Sequence, residues 1–413
     1  MTRDIFYTGI DIGSSKVCAI ISRVGPSGEL KIIGSGLSQA QGVQKGRIVD
    51  TTEAQKSVQS ALDMAHESLG SHVPWTYVSI SGNHVTNLRT SGLVHPSTLD
   101  KQVSADDVAR LTRNSYPEVP PDKEVIHVTP VSYLADNDYS VRDPIGMYAD
   151  QLQVESHVVL GDRSAVNDTI KVVEDCGIPV KGLVLSPIAS AEAVLTQDEK
   201  ELGVVLADVG AGSTDIVVFE RGSLLYNTSI PVGGSHLTRD LSIAYRIPFY
   251  SAEDLKQKWG HALPESLERD EEVLLPGFQG QQSRLKRRSV LCKPLVDRLQ
   301  ETLALIMIKV QEAGLRRFPK GGLVLTGGSA EMPGIASMAQ QIFGCAVRVG
   351  RPQPVQGLSI EQQRPSFATA IGLLMWGIRN YGEERNYRKT EKIASSVRAH
   401  KPLFHRIKDA IAA

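Results

Sequence analysis

Gly9-Ile10-Asp11-Ile12-Gly13-Ser14-Ser15-Lys16 and Asp208-Val209-Gly210-Ala211-Gly212-Ser213-Thr214-Asp215 read as two copies of one device. In each, an apolar strand ends on an Asp-x-Gly turn rich in Gly and Ser, and a second apolar run follows at once. That run is Val17-Cys18-Ala19-Ile20-Ile21 in the first copy and Ile216-Val217-Val218-Phe219 in the second. A further turn then leads to a third strand, through Gly25-Pro26-Ser27-Gly28 and Arg221-Gly222-Ser223 respectively. Such turns let backbone N–H groups approach phosphate oxygens without obstruction by a Cβ, while the Asp faces a hydrated Mg2+. One Gly-Ser turn is a common strand ending. Two in matching context predict a duplicated fold that clamps a nucleotide between its halves.

At 413 residues the chain exceeds one ordinary hydrophobic core, which predicts two or more domains. Hydrophobic content of 41% and charged content of 22% are ordinary for a soluble globular protein, and a formal net charge of -1 argues against a nucleic-acid partner. Cys18, Cys176, Cys292 and Cys345 stand alone, with no C-x-x-C pair and no His at ligand spacing. They are expected as buried small apolar residues in a reducing compartment. Met1-Thr2-Arg3-Asp4 leads directly into a strand, so no signal peptide is expected, and no apolar run reaches the roughly 18 residues of a spanning helix. The expected location is cytoplasmic, with any membrane contact peripheral.

Asp50-Thr51-Thr52-Glu53 is a helix start, followed by Ala54, Val58, Ala61, Leu62, Ala65 and Leu69 at helical spacing and a stop at Gly70. Trp75–Ile80 reads as a fourth strand. Three strands, a helix and another strand over residues 1–83 open a ribonuclease-H-like half of an α/β protein. Residues 84–162 interrupt it with strand-like runs at Val125–Val128 and Leu152–Leu160, a helix around Ser104–Asn114 and a Pro-rich turn at Pro117–Pro121. They predict an inserted α+β subdomain. Over 163–205 the first half resumes, with Ser164 capping a helix, a strand at Leu183–Leu185 and a small-residue helix at Ile188–Leu195. The second copy occupies 206–235 and 300–365, split by a polar, charged excursion at 236–299 that holds acidic Glu265–Glu272 and basic Arg284, Lys286, Arg287 and Arg288. A long helix over Leu295–Gly314 leads back to a strand at Leu323–Thr326. Residues 366–382 hold a closing helix, and 383–400 have the composition of a solvated linker.

The paired turns, the connecting helix Ser186-Pro187-Ile188-Ala189-Ser190-Ala191-Glu192, the Thr326-Gly327-Gly328 turn and Ala368-Thr369-Ala370-Ile371-Gly372 resemble the actin, Hsp70 and sugar kinase superfamily. Within it, the chain is similar to the FtsA family of bacterial cell-division proteins. The similarity is carried by Gly42-Val43-Gln44-Lys45-Gly46-Arg47-Ile48-Val49-Asp50, Val78-Ser79-Ile80-Ser81-Gly82-Asn83, Ile126-His127-Val128-Thr129-Pro130, Asp143-Pro144-Ile145-Gly146-Met147 and the run Ala191–Gly203. It extends essentially end to end. A pilus-assembly relative is the nearest rival, disfavoured by the amphipathic tail and by the match within 84–162. The resemblance implies a two-lobed actin-like fold with subdomains called 1A (1–83 and 163–205), 1C (84–162), 2A (206–235 and 300–365) and 2B (236–299), the segment 366–382 returning to 1A. It implies ATP with Mg2+ bound between the lobes and a polymer of the chain with itself on the cytoplasmic face of the cell membrane, at the division site. That polymer would receive the C-terminal tail of the tubulin-like FtsZ on 2B and recruit other division proteins.

Asp11 and Asp208 are the expected carboxylates of the Mg2+ shell, acting mostly through water. Gly13, Ser14, Ser15 and Lys16 are expected along one side of the phosphates. Gly210, Ala211, Gly212, Ser213 and Thr214 are expected along the other, with Gly327, Gly328 and Ser329 beside the adenosine. Ala211 stands where family members usually have Gly, and Ser213, where Thr is common, keeps the hydroxyl. Ser186 stands where Hsp70-type ATPases carry a Glu that positions the attacking water, and a serine is no equivalent base. Firm binding with slow hydrolysis is expected, with no catalytic residue assigned. A small-molecule kinase would need a catalytic carboxylate facing a substrate cleft, for which no motif is present.

Leu403, Phe404, Ile407, Ala410 and Ile411 fall on one helical stripe, surrounded by Lys401, Arg406 and Lys408. Residues 401–413 are expected to lie as an interfacial helix on an anionic membrane, the alternative being a last helix packed on the protein's own core. Four large apolar side chains offer roughly 1.5–3 kcal/mol each at full burial, and each basic residue about 1 kcal/mol near an anionic surface. Partial burial and ordering take back much of that. One tail should bind reversibly and a polymer of many tails tightly. Arg284, Lys286, Arg287, Arg288 and Lys293 are expected to cradle the partly acidic FtsZ tail, against the plainer reading of a solvated basic loop.

Overall fold

The computed structural model describes residues 4–67, 74–137, 139–278 and 282–380. In the first lobe β1 (Ile5–Ile12), β2 (Lys16–Val24) and β3 (Leu30–Gln39) form an antiparallel meander. A small ribbon of β4 (Val43–Gln44) and β5 (Arg47–Ile48), helix α1 (Thr51–His66) and β6 (Thr76–Ile80) follow. Asp50 caps α1, its carboxylate accepting from the N–H groups of Thr52 (3.0 Å) and Glu53 (3.1 Å). Ala54, Val58, Ala61, Leu62 and Ala65 bury the inner face of that helix. It ends at His66, and the expected stop at Gly70 lies outside the described residues.

The interruption comprises β7 (Val85–Val94), α2 (Ala105–Asn114), β8 (Lys123–Ala135), β9 (Tyr139–Val141) and β10 (Leu152–Asp162), in the sheet order β7-β10-β8-β9. Ser104 starts α2 through a capping box with Asp107. β8 is much longer than Val125–Val128. It continues past Pro130 at a bulge where Val131 has no partner on β10, since Glu155 pairs with Ser132 and Ser156 with Pro130.

β10 runs straight into α3 (Arg163–Glu174), followed by β11 (Val180–Leu185), α4 (Ser186–Val194) and α5 (Gln197–Leu202). Ser164 is not the cap of α3. With no loop between strand and helix the capping position falls on Asp162, which makes no side-chain cap bond, and the Ser164 hydroxyl accepts from Arg47 at 3.3 Å instead.

The second lobe repeats the first with β12 (Val204–Val209), β13 (Thr214–Glu220) and β14 (Ser223–Ile230), then α6 (Gly234–Tyr245), α7 (Phe249–Trp259), the ribbon β15 (Glu272–Leu275) and β16 (Arg284–Arg287), and α8 (Arg288–Glu312). α8 starts seven residues before the expected Leu295, with Pro294 inside it. Proline removes the N–H that would bond the Val290 carbonyl. The Tyr245 hydroxyl donates to that carbonyl at 2.5 Å, so the helix survives. β17 (Leu323–Thr326), α9 (Ile335–Phe343) and β18 (Val347–Val349) complete the lobe, and residues 368–380 form the closing helix.

The two five-stranded sheets have one topology: β11-β6-β1-β2-β3 and β18-β17-β12-β13-β14. In both, the first three strands pair antiparallel and the last two join in parallel. The fold is therefore the expected duplicated, actin-like α/β architecture. One core runs through both lobes, joining Tyr7, Ile188, Ala191, Leu206, Val217 and Ile371, with α4 and the closing helix in the middle. Among the described residues no helix is long and apolar enough to cross a membrane.

Candidate nucleotide-binding site

Each phosphate turn is a tight link between the first two strands of its sheet. Gly13 N–H donates to the Lys16 carbonyl at 3.0 Å, and Gly210 N–H donates to the Ser213 carbonyl at 2.9 Å. The strand before each turn therefore delivers its aspartate to the same place in both lobes. The Ser79 hydroxyl of β6 donates to Asp11 at 2.8 Å while accepting from Ile12 N–H at 3.0 Å. Asp208 is held by Ser190 of α4 (2.6 Å) and Thr369 of the closing helix (3.2 Å), both donating to one carboxylate oxygen.

Burial pushes the Asp11 carboxyl up to about 6, against the Ser79 bond and helped by the neighbouring Asp208 charge. Burial raises Asp208 too, opposed by its bonds from Ser190 and Thr369. Two such carboxylates facing one space are costly to ionise without a cation. Among the described residues no cluster of three or more ligating side chains exists. That donor set fits Mg2+ held largely by water and substrate phosphates, not a protein cage. Lys16 is half-buried, its ammonium 3.8 Å from the Phe367 ring centroid. Burial lowers it, and among the charges opposing that is Asp11, so it belongs to the cleft and not to the outer surface.

The lobes touch at the turns. A Cβ on Gly212 would lie 2.5 Å from the Ser14 hydroxyl and 2.9 Å from the Lys45 backbone nitrogen, so only glycine allows this approach. Ser14 also accepts from Gly46 N–H at 3.1 Å. Gly327, at φ 84°, brings β17 against Asp208, where a Cβ would stand 2.3 Å from the carboxylate. Ser329 donates to the Gly210 carbonyl at 3.2 Å, with Gly328 beside it. The structure thus brings Asp11, Gly13, Ser14, Lys16, Asp208, Gly210, Gly212, Gly327, Gly328 and Ser329 together. Ser15 is the exposed residue of its turn. Ser213 and Thr214 turn their hydroxyls inward, to Asp215 (3.0 Å) and the Val232 carbonyl (2.8 Å), leaving only backbone for a ligand. The Ala211 carbonyl accepts from Ser235 N–H at 2.8 Å. The Ser186 hydroxyl donates to the Ile80 carbonyl at 3.2 Å.

Other polar groups lie beyond the turns themselves. Asp215 pairs across the strands with Asp208, and burial pushes its carboxyl up to about 6, helped by the Asp208 charge and opposed by the bond from Ser213. The repeat hides it, because the matching residue of the first copy is Cys18. The Lys256 ammonium donates to Thr238 (2.8 Å), Glu253 (2.8 Å) and the Gly234 carbonyl (3.1 Å), next to Ser329. No motif flagged that cluster.

The basic stretch is not a loop. Arg284 to Arg287 form the exposed strand β16, paired on one edge with β15. Arg284 donates to the Tyr245 carbonyl, and Arg288 donates to the Trp259 carbonyl at 2.9 Å, so these two are partly committed to the fold. Lys286, Arg287 and Lys293 are exposed. Lys401, Leu403, Phe404, Arg406, Ile407, Lys408 and Ile411 lie outside the described residues.

A family model described as Cell division protein FtsA matches residues 205–372, and one described as the SHS2 domain inserted in FTSA matches residues 82–160. The Cell division protein FtsA of Pseudomonas aeruginosa is 33% identical over 401 residues, 97% of this chain and 96% of that protein. That of Escherichia coli (strain K12) is 32% identical over 399 residues, 95% and 93% of the two chains. Among solved structures, a PilM-PilN type IV pilus biogenesis complex aligns with a TM-score of 0.65 at 16% identity, covering 90% of this chain and 98% of that one. MreB 5 of Spiroplasma citri bound to AMPPNP aligns with a TM-score of 0.55 at 13% identity, covering 94% and 99%. These structural likenesses speak to the actin-like fold, and the sequence matches speak to the family. The chain belongs to the FtsA family of cell division proteins.

Proposed function

We propose that the chain is an ATP-binding, actin-like adaptor that polymerises on the cytoplasmic membrane, tethers FtsZ to it and recruits other division proteins. The observation that carries the nucleotide part is the meeting of the two phosphate turns, Ser14 against Gly212, with Asp11 and Asp208 facing one space. Asp11 and Asp208 would hold the water shell of Mg2+, which neutralises phosphate charge when bound. The turn backbones would bind the phosphates, and Gly327 to Ser329 would flank the nucleoside. With the Ser186 hydroxyl bonded to Ile80 and no carboxylate at that position, hydrolysis should be slow, well below the roughly 10 s-1 of an average enzyme. The stripe over 401–413 supports membrane attachment, and the exposed Lys286, Arg287 and Lys293 support capture of an acidic tail.

Sedimentation with anionic phospholipid vesicles tests this reading, using the full chain with and without Mg·ATP, a chain lacking residues 401–413, and Phe404→Glu. The full chain should pellet with vesicles, more so with Mg·ATP. The truncated chain and Phe404→Glu should stay in solution while still binding ATP. Vesicle binding that survives both changes would sink the membrane assignment, and failure of the full chain to bind ATP would sink the nucleotide assignment.

A further inference from the structure

Lys45 sits between β4 and β5 with φ 50°, flanked by Gly42 and Gly46 at φ 71° and 76°. A lysine is disfavoured in the left-handed region because its Cβ crowds the backbone, and residues held there concentrate at ligand sites. Its surroundings explain how it is held. Gly46 N–H donates to Ser14, the Lys45 nitrogen packs against Gly212, and the Lys45 carbonyl packs against Gly82, 2.7 Å from where a Cβ there would stand. The Lys45 backbone is therefore wedged where both phosphate turns and the end of β6 converge. Its positive charge acts on His236, in the first turn of α6, whose imidazole is lowered by burial first and by Lys45 in addition. That helix start packs on the second phosphate turn, Gly234 and Ser235 N–H groups donating to the Gly210 and Ala211 carbonyls at 2.8 Å.

Charge assigns the ammonium a task. Lys16 is half-buried with its ammonium 3.8 Å from the Phe367 ring centroid, which holds it beside the first turn. Lys45 is exposed and has no ion-pair partner among the described residues. It stands on the Gly212 side of Asp208, whereas the Gly327–Ser329 turn approaches that aspartate from β17. A nucleotide laid with its nucleoside at Gly327–Ser329 would direct its outermost phosphate toward Lys45. A lysine is a compact point charge suited to a phosphate oxygen.

We propose that Lys45 binds the terminal phosphate of a nucleoside triphosphate and thereby makes the cleft prefer triphosphate over diphosphate. This rests on the nucleotide reading above. The test is calorimetric titration of the full chain with Mg·ATP and with Mg·ADP, for the wild type, Lys45→Asn and Lys45→Arg. Asparagine tolerates the left-handed backbone, so it removes the charge while keeping the turn. The wild type should prefer ATP by about tenfold or more, the span of one charge-assisted bond. Lys45→Asn should lose that preference with ADP affinity nearly unchanged, and Lys45→Arg should keep it. A preference that survives in Lys45→Asn, or a wild type that binds both nucleotides equally, overturns the role of Lys45 and leaves the cleft intact. A wild type that binds neither overturns the nucleotide reading itself.

Discussion

The Ser190 hydroxyl, on the connecting helix α4, donates to the carboxylate of Asp208 at 2.6 Å. The same carboxylate oxygen accepts from Thr369 of the closing helix, and the two hydroxyls stand 2.9 Å apart. Both α4 and the closing helix therefore place a hydroxyl on one acid of the candidate nucleotide cleft. A change in charge at that acid, such as the arrival of Mg2+, would act directly on both helices.

Ser190→Ala removes one of two donors from a buried carboxylate. A bond to a charged group contributes about 1.5–3 kcal/mol. The Asp208 carboxyl, already raised by burial, should rise further. Affinity for Mg·ATP should fall about tenfold or more, and by more at pH 6.5 than at pH 8, because protonation competes with the cation more strongly at the lower pH. A loss that is the same at both pH values would refute the charge argument.

The raised carboxyls also fix a pH dependence. Asp11 is pushed up to about 6, above the ordinary value near 4. A raised acid favours the folded state while protonated, so its contribution to stability is complete below about pH 4 and is lost as pH rises through about 6. Mg2+ demands the opposite, ionised form. Thermal stabilisation by Mg·ATP should hence grow between about pH 5 and pH 7, and Asp11→Asn should flatten that growth. Comparing melting with and without ligand isolates this effect. His127, held down to about 3 by burial, costs stability as pH falls below about 6.5 in both samples alike. Equal ligand-induced shifts at both ends of the range would count against Asp11 as a metal-shell acid.

How much of this is legible in the sequence follows from which contacts are local. The strand–turn–strand units around Asp11 and Asp208 are short-range patterns of apolar runs and glycine, and both lobes fold as that pattern dictates. Ser190 and Thr369 are different. Each is one small polar residue in a helix of small residues, and their convergence on Asp208 spans separations of 18 and 161 residues. Helical periodicity says nothing about such a meeting. Pro294 misleads for a related reason: the hydroxyl that rescues its helix comes from Tyr245, on another element. Asp215 stands inside the quoted motif, yet its burial beside Asp208 is a product of the packed fold and not of the motif's spacing.

Gly212→Ala tests whether contact between the turns is needed for binding. Its methyl would meet a flexible hydroxyl at Ser14 but also the Lys45 backbone nitrogen at 2.9 Å, so the second turn and the β4–β5 ribbon would have to separate. Overpacking of this kind costs about 1–3 kcal/mol. Gly212 lies outside every hydrophobic core cluster, so far-ultraviolet circular dichroism should be unchanged while nucleotide affinity drops about tenfold or more. Unaltered affinity would mean that the nucleotide binds without closure at this point.

On β16 and at the first residue of α8 the structure separates two kinds of basic residue. Arg288 donates to the Trp259 carbonyl and lies 5.8 Å from its ring centroid, so Arg288→Glu should lower stability by about 1–2 kcal/mol. Lys286 and Arg287 are exposed and are free of such ties among the described residues. Their joint reversal, Lys286→Glu with Arg287→Glu, should leave the melting temperature nearly unchanged. If β16 receives an acidic tail, that double variant should bind an acidic peptide about tenfold more weakly at low salt. The gap should narrow as salt is raised, because exposed charges are screened beyond about 8 Å at physiological ionic strength. Equal affinity of wild type and double variant at low salt would mean that the strand is a solvated surface and the peptide binds elsewhere.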